Sequence, residues 1–292
     1  MKRLMLALAL TSLTQALPLS AAQAAPLKIL AAENVYADIA AQIGGNYVHT
    51  TAILSNPDQD PHLFEASPSV ARDVKSADLV ILNGAGYDDW MAKLLAASPN
   101  TTRKALEMAE ITHVQSGENP HIWYDIGRVQ TFAHALTETL STLDPAHKQD
   151  FDHNLANFTA SLDKIDQQMQ SFKTRHGQMT VTASEPVFGY MAQNLGLEMK
   201  GLSFQMAIMN NTEPSVSDVA AFEKSLKNHE ASAMLYNAQA SSPSVERLKK
   251  IAIAAGIPIV PVTETEPAHL SYQSWMSGQI RALDKALGGQ PE

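Results

Sequence analysis

Short apolar runs alternate with longer amphipathic segments from residue 27 onwards. In the first half of the chain, runs typical of buried strands occupy residues 27–31, 48–53 and 79–82. Between them, residues 35–43 and 69–75 carry apolar side chains at helical spacing. Strands separated by helices in this way predict α/β units with a largely parallel sheet.

The second half of the chain has the same organisation, without a close sequence repeat. Strands are predicted over residues 179–183, 233–236 and 257–262, and helices over residues 216–226, 244–255 and 272–287. The predicted fold class is therefore α/β, with two lobes that each contain a mostly parallel sheet.

One long amphipathic helix is predicted between the two halves. Asp144 and Pro145 are typical of its beginning, as N-cap and first-turn proline, and Gly177 of its end. Packing on the protein's own lobes is the favoured interpretation, because about three heptads containing Phe and Met suit a coiled coil between chains less well. Seven apolar residues share one face of this helix: Phe151, Leu155, Phe158, Leu162, Ile165, Met169 and Phe172.

The first 24 residues have the pattern of an export signal. Lys2 and Arg3 precede a mostly apolar run over residues 4–19, and Ala22-Gln23-Ala24 offers a small-x-small cleavage site. We expect cleavage after Ala24 and a mature chain in a bacterial periplasm. A membrane anchor is the weaker alternative, because polar residues interrupt a run that is already short.

Composition narrows the classes of function. The sequence contains no cysteine, which excludes a lipid-modified Cys, disulfides and thiolate metal sites. The formal charge of −9 becomes −11 once Lys2 and Arg3 are removed with the signal, so nucleic acid is not an expected partner.

The 268 residues of the 292 that remain after removal of the signal exceed what one ordinary hydrophobic core holds, so two lobes are expected. The predicted division of a monomeric chain is a signal peptide (1–24), an N-terminal lobe (25–143), a linking helix (144–177) and a C-terminal lobe (178–292).

Two histidines stand in nearly the same local setting. His62 follows Asp60-Pro61 and His121 follows Asn119-Pro120, so a proline stiffens each loop directly before the imidazole. A single loop histidine is usually only a surface residue. Two such presentations beside carboxylates favour a metal site. The carboxylates are Asp58, Asp60 and Glu65 for the first histidine, and Glu118 and Asp125 for the second.

Two glutamates are predicted at the carboxyl edge of the second sheet. Glu185 follows the strand over 179–183, and Glu264 follows the strand over 257–262. Ligand groups gather at this edge in open α/β folds. Each could instead be a solvated loop acid, and Glu266 is an alternative to Glu264 as a ligand.

Signatures of nucleotide binding and hydrolysis are weak or missing. The segment Asn83-Gly84-Ala85-Gly86-Tyr87 lacks the third glycine of a dinucleotide fingerprint, and Asp88 and Asp89 would repel a phosphate. We interpret it as a turn. The sequence also lacks His-Glu-x-x-His, Gly-x-Ser-x-Gly and a Walker loop, so no motif predicts an enzyme.

Several blocks, taken in order, resemble the zinc/manganese/iron-type (cluster A-I) receptors of ABC transporters. The resemblance covers essentially the whole mature chain and implies two α/β lobes joined by one rigid helix, with a metal ion in the cleft between them. It implies His62, His121, Glu185 and Glu264 as metal ligands, and a membrane permease as partner. The blocks are Asp60-Pro61-His62 with Glu65 and Pro68, Asn83-Gly84-x-Gly86 with Trp90, Asn119-Pro120-His121-Ile122-Trp123, Ser184-Glu185-x-x-Phe188-x-Tyr190, and Val262-Thr263-Glu264.

Departures from the family pattern bear on the metal. Zinc receptors of this family usually have His where Glu185 stands and often carry a His-rich loop, and this chain has neither. The fourth ligand is commonly Asp rather than Glu264, and Asn237 stands where relatives often have an acid. The pattern resembles that of a manganese or iron importer. We therefore expect manganese first and zinc second as cargo, with iron as a third option, although the Irving–Williams order gives zinc the higher raw affinity.

Four protein ligands favour capture over catalysis, because they leave no obligatory open position for an activated water. We therefore expect no enzymatic activity. Two alternatives remain open from the sequence. One is an adhesin or interaction protein that holds a structural metal, and the other is a metallohydrolase in which Glu264 is not a ligand.

Overall fold

A four-stranded parallel sheet in the order β2-β1-β3-β4 forms the first lobe. Its strands are β1 (Leu27–Glu33), β2 (Val48–Leu54), β3 (Leu79–Leu82) and β4 (Lys104–Glu107). The first three were predicted. The edge strand β4 was missed because it is short and none of its side chains is buried, so it has no apolar run. The computed structural model describes residues 25–56, 61–240 and 242–289, so the predicted signal segment, Asp58 and Asp60 lie outside the described residues.

The second lobe repeats this architecture with a parallel sheet in the order β6-β5-β7-β8. Its strands are β5 (Thr180–Ala183), β6 (Glu198–Lys200), β7 (Met234–Asn237) and β8 (Ile259–Val262). The three-residue strand β6 was not predicted. Pro261 lies in β8, which is an edge strand and therefore tolerates a residue without a backbone N–H. The predicted fold class, two α/β lobes with parallel sheets, is confirmed.

Helices follow most of the strands. Asp125, Ser215, Ser242 and Ser271 accept hydrogen bonds from backbone N–H groups in the first turns of α5, α9, α10 and α11. The helices are α1 (Asn34–Gly44), α2 (Pro68–Ser76), α3 (Asp89–Ala97), α4 (Met108–Thr112), α5 (Ile126–Leu143), α6 (Lys148–His176), α7 (Gly189–Asn194), α8 (Leu202–Met209), α9 (Val216–Lys227), α10 (Pro243–Ala254) and α11 (Tyr272–Ala286).

The sequence pattern did not predict α5, although it is eighteen residues long. Its threonines obscure the helical pattern, because threonine is β-branched and is more common in strands than in helices. In the structure, the hydroxyls of Thr137, Thr139 and Thr142 each donate to the carbonyl four residues earlier. The helix therefore satisfies these polar groups itself.

The long linking helix α6 begins later than predicted. Asp144 and Pro145 open a separate 3-10 turn (Pro145–His147), and Asp144 Oδ2 accepts from His147 Nδ1 at 2.6 Å instead of capping α6. The predicted end is confirmed, because α6 ends at His176 and Gly177 is its C-cap residue. A Cβ at Gly177 would lie 2.5 Å from the carbonyl oxygen of Lys173, so a side chain would not fit there.

One hydrophobic core runs through both lobes. It includes Ile29 and Leu79 from the first sheet and Val181 and Leu235 from the second. The predicted apolar face of α6 lies in the same core, buried except for the partly buried Leu155. A large apolar interface of this kind opposes relative motion of the lobes. None of the described helices is both long and apolar enough to cross a membrane.

Candidate metal centre

Three of the predicted ligands converge in the cleft between the lobes. The Nε2 atoms of His62 and His121 lie 3.3 Å and 3.2 Å from Oε2 of Glu264. The ligand atoms of all three residues lie within 4.8 Å of one another. The imidazole of His121 and the carboxylate of Glu264 are fully buried, and the side chain of His62 is 15% exposed.

The two histidines each follow a proline in or next to a turn, and Glu264 follows the carboxyl end of a strand. His62 lies in a 3-10 turn (Pro61–Leu63) that precedes α2. His121 directly precedes a second 3-10 turn (Ile122–Tyr124), and Glu264 lies two residues after β8. The histidines belong to the first lobe and the carboxylate to the second. The distances between the three ligand atoms therefore depend on the position of one lobe relative to the other.

Asn119 fixes the orientation of the His121 ring. Its Oδ1 lies 2.7 Å from Nδ1 of His121 and accepts the backbone N–H of His121 at 3.1 Å. Because Oδ1 can only accept, Nδ1 carries the proton in the neutral ring and Nε2 presents a lone pair. A histidine that binds a metal through one ring nitrogen usually donates the N–H of the other nitrogen to such an oxygen.

The protonation states suit a cation. Burial lowers the pKa of His121, although the neighbouring Glu264 acts in the opposite direction. Burial alone would raise the pKa of Glu264, but hydrogen bonds from the protonated rings of His121 and His62 outweigh it and hold the pKa well below its usual range. A metal ion takes the place of these Nε2 protons and leaves each ring neutral. A neutral imidazole beside an ionised carboxylate is the combination that binds a divalent metal.

Tyr87 contributes a hydrogen bond that the sequence did not predict. Its hydroxyl donates to Oε2 of Glu264 at 2.8 Å. Burial first, and then the charge of Glu264, raise the pKa of Tyr87 well above its usual value, so the hydroxyl keeps its proton. The signal was present, because Tyr87 follows β3 at the carboxyl edge of the first sheet.

The segment that presents Tyr87 is the turn predicted from its glycines. The carboxylate of Asp88 accepts the backbone N–H groups of Asn83 at 2.6 Å and Gly84 at 2.8 Å. Gly84 has a φ of +77°. A side chain there would be strained and would also overlap Glu107.

Glu185 lies beside the centre without joining the group of three. It is 3% exposed, and its Oε2 accepts from Nδ2 of Asn237 at 3.0 Å. The same amide donates to Oε1 of Glu264 at 2.5 Å, so Asn237 links the two carboxylates. Glu185 and His62 also line one cavity of about 220 Å³.

Glu266, the alternative ligand, is placed elsewhere. Its backbone N–H and carbonyl are both bonded to the side chain of Asn34. Its carboxyl is buried, and burial together with Asp38 raises its pKa to about 9. The structure brings Glu264, and not Glu266, to the two histidines.

Three further acids close to the histidines in sequence, Asp125, Glu118 and Glu65, lie in the part of the chain that the structure describes. Asp125 caps α5, and Oε2 of Glu118 accepts the backbone N–H of Gln115. Glu65 is exposed. Asp125 and Glu118 therefore bond within their own segments, whereas Glu264, which lies beside the histidines, comes from the other lobe.

Comparison with known proteins gives a consistent picture. The family model described as "Zinc-uptake complex component A periplasmic" matches residues 29–286. The manganese ABC transporter substrate-binding lipoprotein PsaA of Streptococcus mitis is 28% identical over 192 residues, 61% of this chain and 62% of that protein. The iron ABC transporter substrate-binding lipoprotein MtsA of Streptococcus pyogenes is 23% identical over 248 residues, 80% of this chain and 78% of that protein.

A solved structure shares the fold. The periplasmic zinc binding protein TroA from Treponema pallidum matches with a TM-score of 0.75 and 21% sequence identity, over 91% of this chain and 100% of that one. Two parallel-sheet lobes joined by a long helix are therefore common to both proteins.

Proposed function

The chain belongs to the family of periplasmic zinc-uptake component A proteins, and we propose that it captures a divalent transition metal ion in the periplasm and delivers it to an ABC-type importer. The partner is the membrane permease of that importer. The mature chain acts as a monomer released from its signal peptide after Ala24.

One observation carries this proposal. Nε2 of His62, Nε2 of His121 and Oε2 of Glu264 all lie within 4.8 Å of one another. Each can offer a lone pair, and Asn119 holds His121 in the tautomer whose lone pair faces Glu264. A divalent cation is the ligand that satisfies such a group of buried acceptors.

We propose His62, His121, Glu185 and Glu264 as the four ligands. Two neutral imidazoles and two carboxylates neutralise a divalent ion, which limits the cost of burying its charge. Glu185 is supported by its burial beside the centre and by its link to Glu264 through Asn237.

Manganese is the proposed cargo, with zinc second and iron third. The similar proteins are named for manganese, iron and zinc, so they support a metal receptor without favouring one ion. The preference rests on the donor set, because two carboxylates can raise the coordination number in the way manganese prefers. Zinc also binds, since the Irving–Williams order favours it at an N/O site.

The test is a competition titration of the metal-stripped mature chain with manganese and zinc. His121→Ala should bind each ion at least about tenfold more weakly, because it loses a nitrogen ligand. His134→Ala is the matched control, because His134 is exposed on α5. Equal affinities of wild type and His121→Ala would contradict the proposed site.

Uptake separates a transport receptor from a protein that holds a structural metal. Cells producing the wild-type chain should accumulate more radioactive manganese or zinc than cells producing His121→Ala. Unchanged uptake, together with a metal that does not exchange, would favour the adhesin alternative. Turnover of generic esters or phosphates by the metal-loaded chain would favour the metallohydrolase.

A further inference from the structure

Helix α1 carries a polar stripe that faces the other lobe. Asn34, Asp38 and Gln42 are spaced four residues apart and therefore lie on one helical face. Each makes hydrogen bonds to the C-terminal lobe. Asp38 Oδ2 accepts the backbone N–H of Tyr272 at 2.9 Å, and the amides of Gln42 and Gln273 bond to each other at 3.1 Å and 2.8 Å.

Asn34 makes the most specific of these contacts. Its Nδ2 donates to the carbonyl of Glu266 at 2.7 Å, and its Oδ1 accepts the N–H of Glu266 at 3.0 Å. One amide thus holds both backbone groups of a single residue. That residue lies two positions after Glu264.

The neighbouring backbone is held from the other side. Oε1 of Gln239, within the C-terminal lobe, accepts the N–H of Glu264 at 2.6 Å and the N–H of Thr265 at 3.0 Å. Three successive N–H groups are therefore bound by side-chain oxygens. Gln239 secures the segment 264–266 to its own lobe, and Asn34 secures it to the lobe that carries the two histidines.

We propose that Asn34 is a positioning residue for the metal centre, which fixes the segment 264–266 so that the carboxylate of Glu264 meets His62 and His121. This inference rests on the proposed function. Because Glu264 comes from the opposite lobe, its distance to the histidines depends on contacts that cross between lobes. Tyr124 of the first lobe also donates to the carbonyl of Thr263 at 2.8 Å, but Asn34 holds both backbone groups of Glu266 on the other side of Glu264.

Gln42 offers a matched control on the same helix face. Its amide pair with Gln273 also crosses between the lobes, but it attaches to α11 and not to the segment 264–266. Loss of either amide removes two interlobe hydrogen bonds. Of the two losses, only that at Asn34 removes bonds between the lobe with the histidines and the backbone of the segment 264–266, where Gln239 remains bonded.

The experiment compares the full mature wild type with Asn34→Ala and Gln42→Ala. Each protein is loaded with cobalt(II), whose visible absorption reports the ligand geometry, and its release to a chelator is timed. Asn34→Ala should alter the cobalt spectrum and release the metal about tenfold faster. Gln42→Ala should keep the wild-type spectrum and release rate, although its melting temperature falls.

Every outcome decides the inference. A wild-type spectrum and release rate in Asn34→Ala, or equal changes in both variants, would overturn it. If Asn34→Ala does not fold, the same spectrum and release rate are measured for Asn34→Ser. The serine hydroxyl can restore one of the two hydrogen bonds, so this variant should release the metal at an intermediate rate. Failure of the wild type to bind cobalt, manganese or zinc would instead overturn the proposed function.

Discussion

The hydroxyl of Tyr87 lies 2.8 Å from Oε2 of Glu264, across the cleft and 177 residues away in sequence. Both side chains are buried. The hydroxyl donates to the same oxygen that faces His62 and His121. A tyrosine of the first lobe thus orients the proposed ligand of the second.

Replacing Tyr87 by Phe should weaken manganese and zinc binding by about tenfold, because the carboxylate loses the donor that orients it. The ring remains to pack against Trp123, so the fold should be kept. Competition titration measures the change. Tyr47→Phe is the control, since Tyr47 stacks on His147 outside the centre, and an equal loss in that variant would contradict a specific role for Tyr87.

The histidine variants should divide into three groups. His62→Ala and His121→Ala should lose at least about an order of magnitude in metal affinity. His176→Ala should keep metal binding but lower the melting temperature, because His176 Nε2 bonds to Asp284 at 2.7 Å between α6 and α11. Metal titration and thermal unfolding are measured on the same samples.

The remaining histidines serve as controls. His134→Ala should change neither measurement, because the side chain is exposed. The same is expected for metal binding in variants of His113, His147, His153 and His229. Loss of metal in one of these, with His62→Ala unaffected, would mean that the proposed site is wrong.

Glu185→His should shift selectivity from manganese towards zinc. The exchange replaces a carboxylate, which can bind through two oxygens, by an imidazole that binds through one nitrogen. Manganese should therefore suffer most. The ratio of the two dissociation constants is measured by competition in wild type and variant, and an unchanged ratio would place Glu185 outside the set of ligands.

Stripping the metal should lower the melting temperature without unfolding the chain. The core that joins both lobes is formed by apolar side chains that do not depend on an ion. Circular dichroism in the presence of a chelator measures this. Loss of the folded signal at room temperature would show instead that the metal is structural.

Glu266→Gln should change how stability depends on pH in the metal-free protein. Burial, and then Asp38, raise the pKa of Glu266 from 4.5 to about 9, so the folded state keeps a proton that the unfolded chain releases. The contribution of this proton is complete below about pH 4.5 and is lost as the pH rises towards 9. Its slope is at most about 1.4 kcal/mol per pH unit, reduced by any solvent screening of the carboxyl.

Without this group, the variant should be more stable than wild type at pH 8 and similar to it at pH 4. Urea unfolding at several pH values measures the difference. Glu138→Gln provides the control because Glu138 is exposed on α5. Parallel pH profiles for wild type and Glu266→Gln would show that Glu266 ionises normally.

Much of the fold could be predicted because its signals are local. The strand β3 was predicted with its observed bounds, since four buried residues in a row leave no ambiguity. The short edge strands β4 and β6 were missed because their side chains are only partly covered. The position of Asp144 was misjudged because an N-cap signal does not distinguish a 3-10 turn from the α-helix that follows.

The sequence by itself determined the two α/β lobes, the helix between them and the two Pro-His turns, since periodicity and turn chemistry depend on near neighbours. Only the tertiary structure decided which of Glu264 and Glu266, two positions apart in one loop, lies beside the two histidines. The position of Glu266 depends on its contact with Asn34, and that of Glu264 on its contacts with Tyr87 and His121, all in the other lobe. Such contacts follow from how the shared core sets one lobe against the other, and no local pattern encodes that placement.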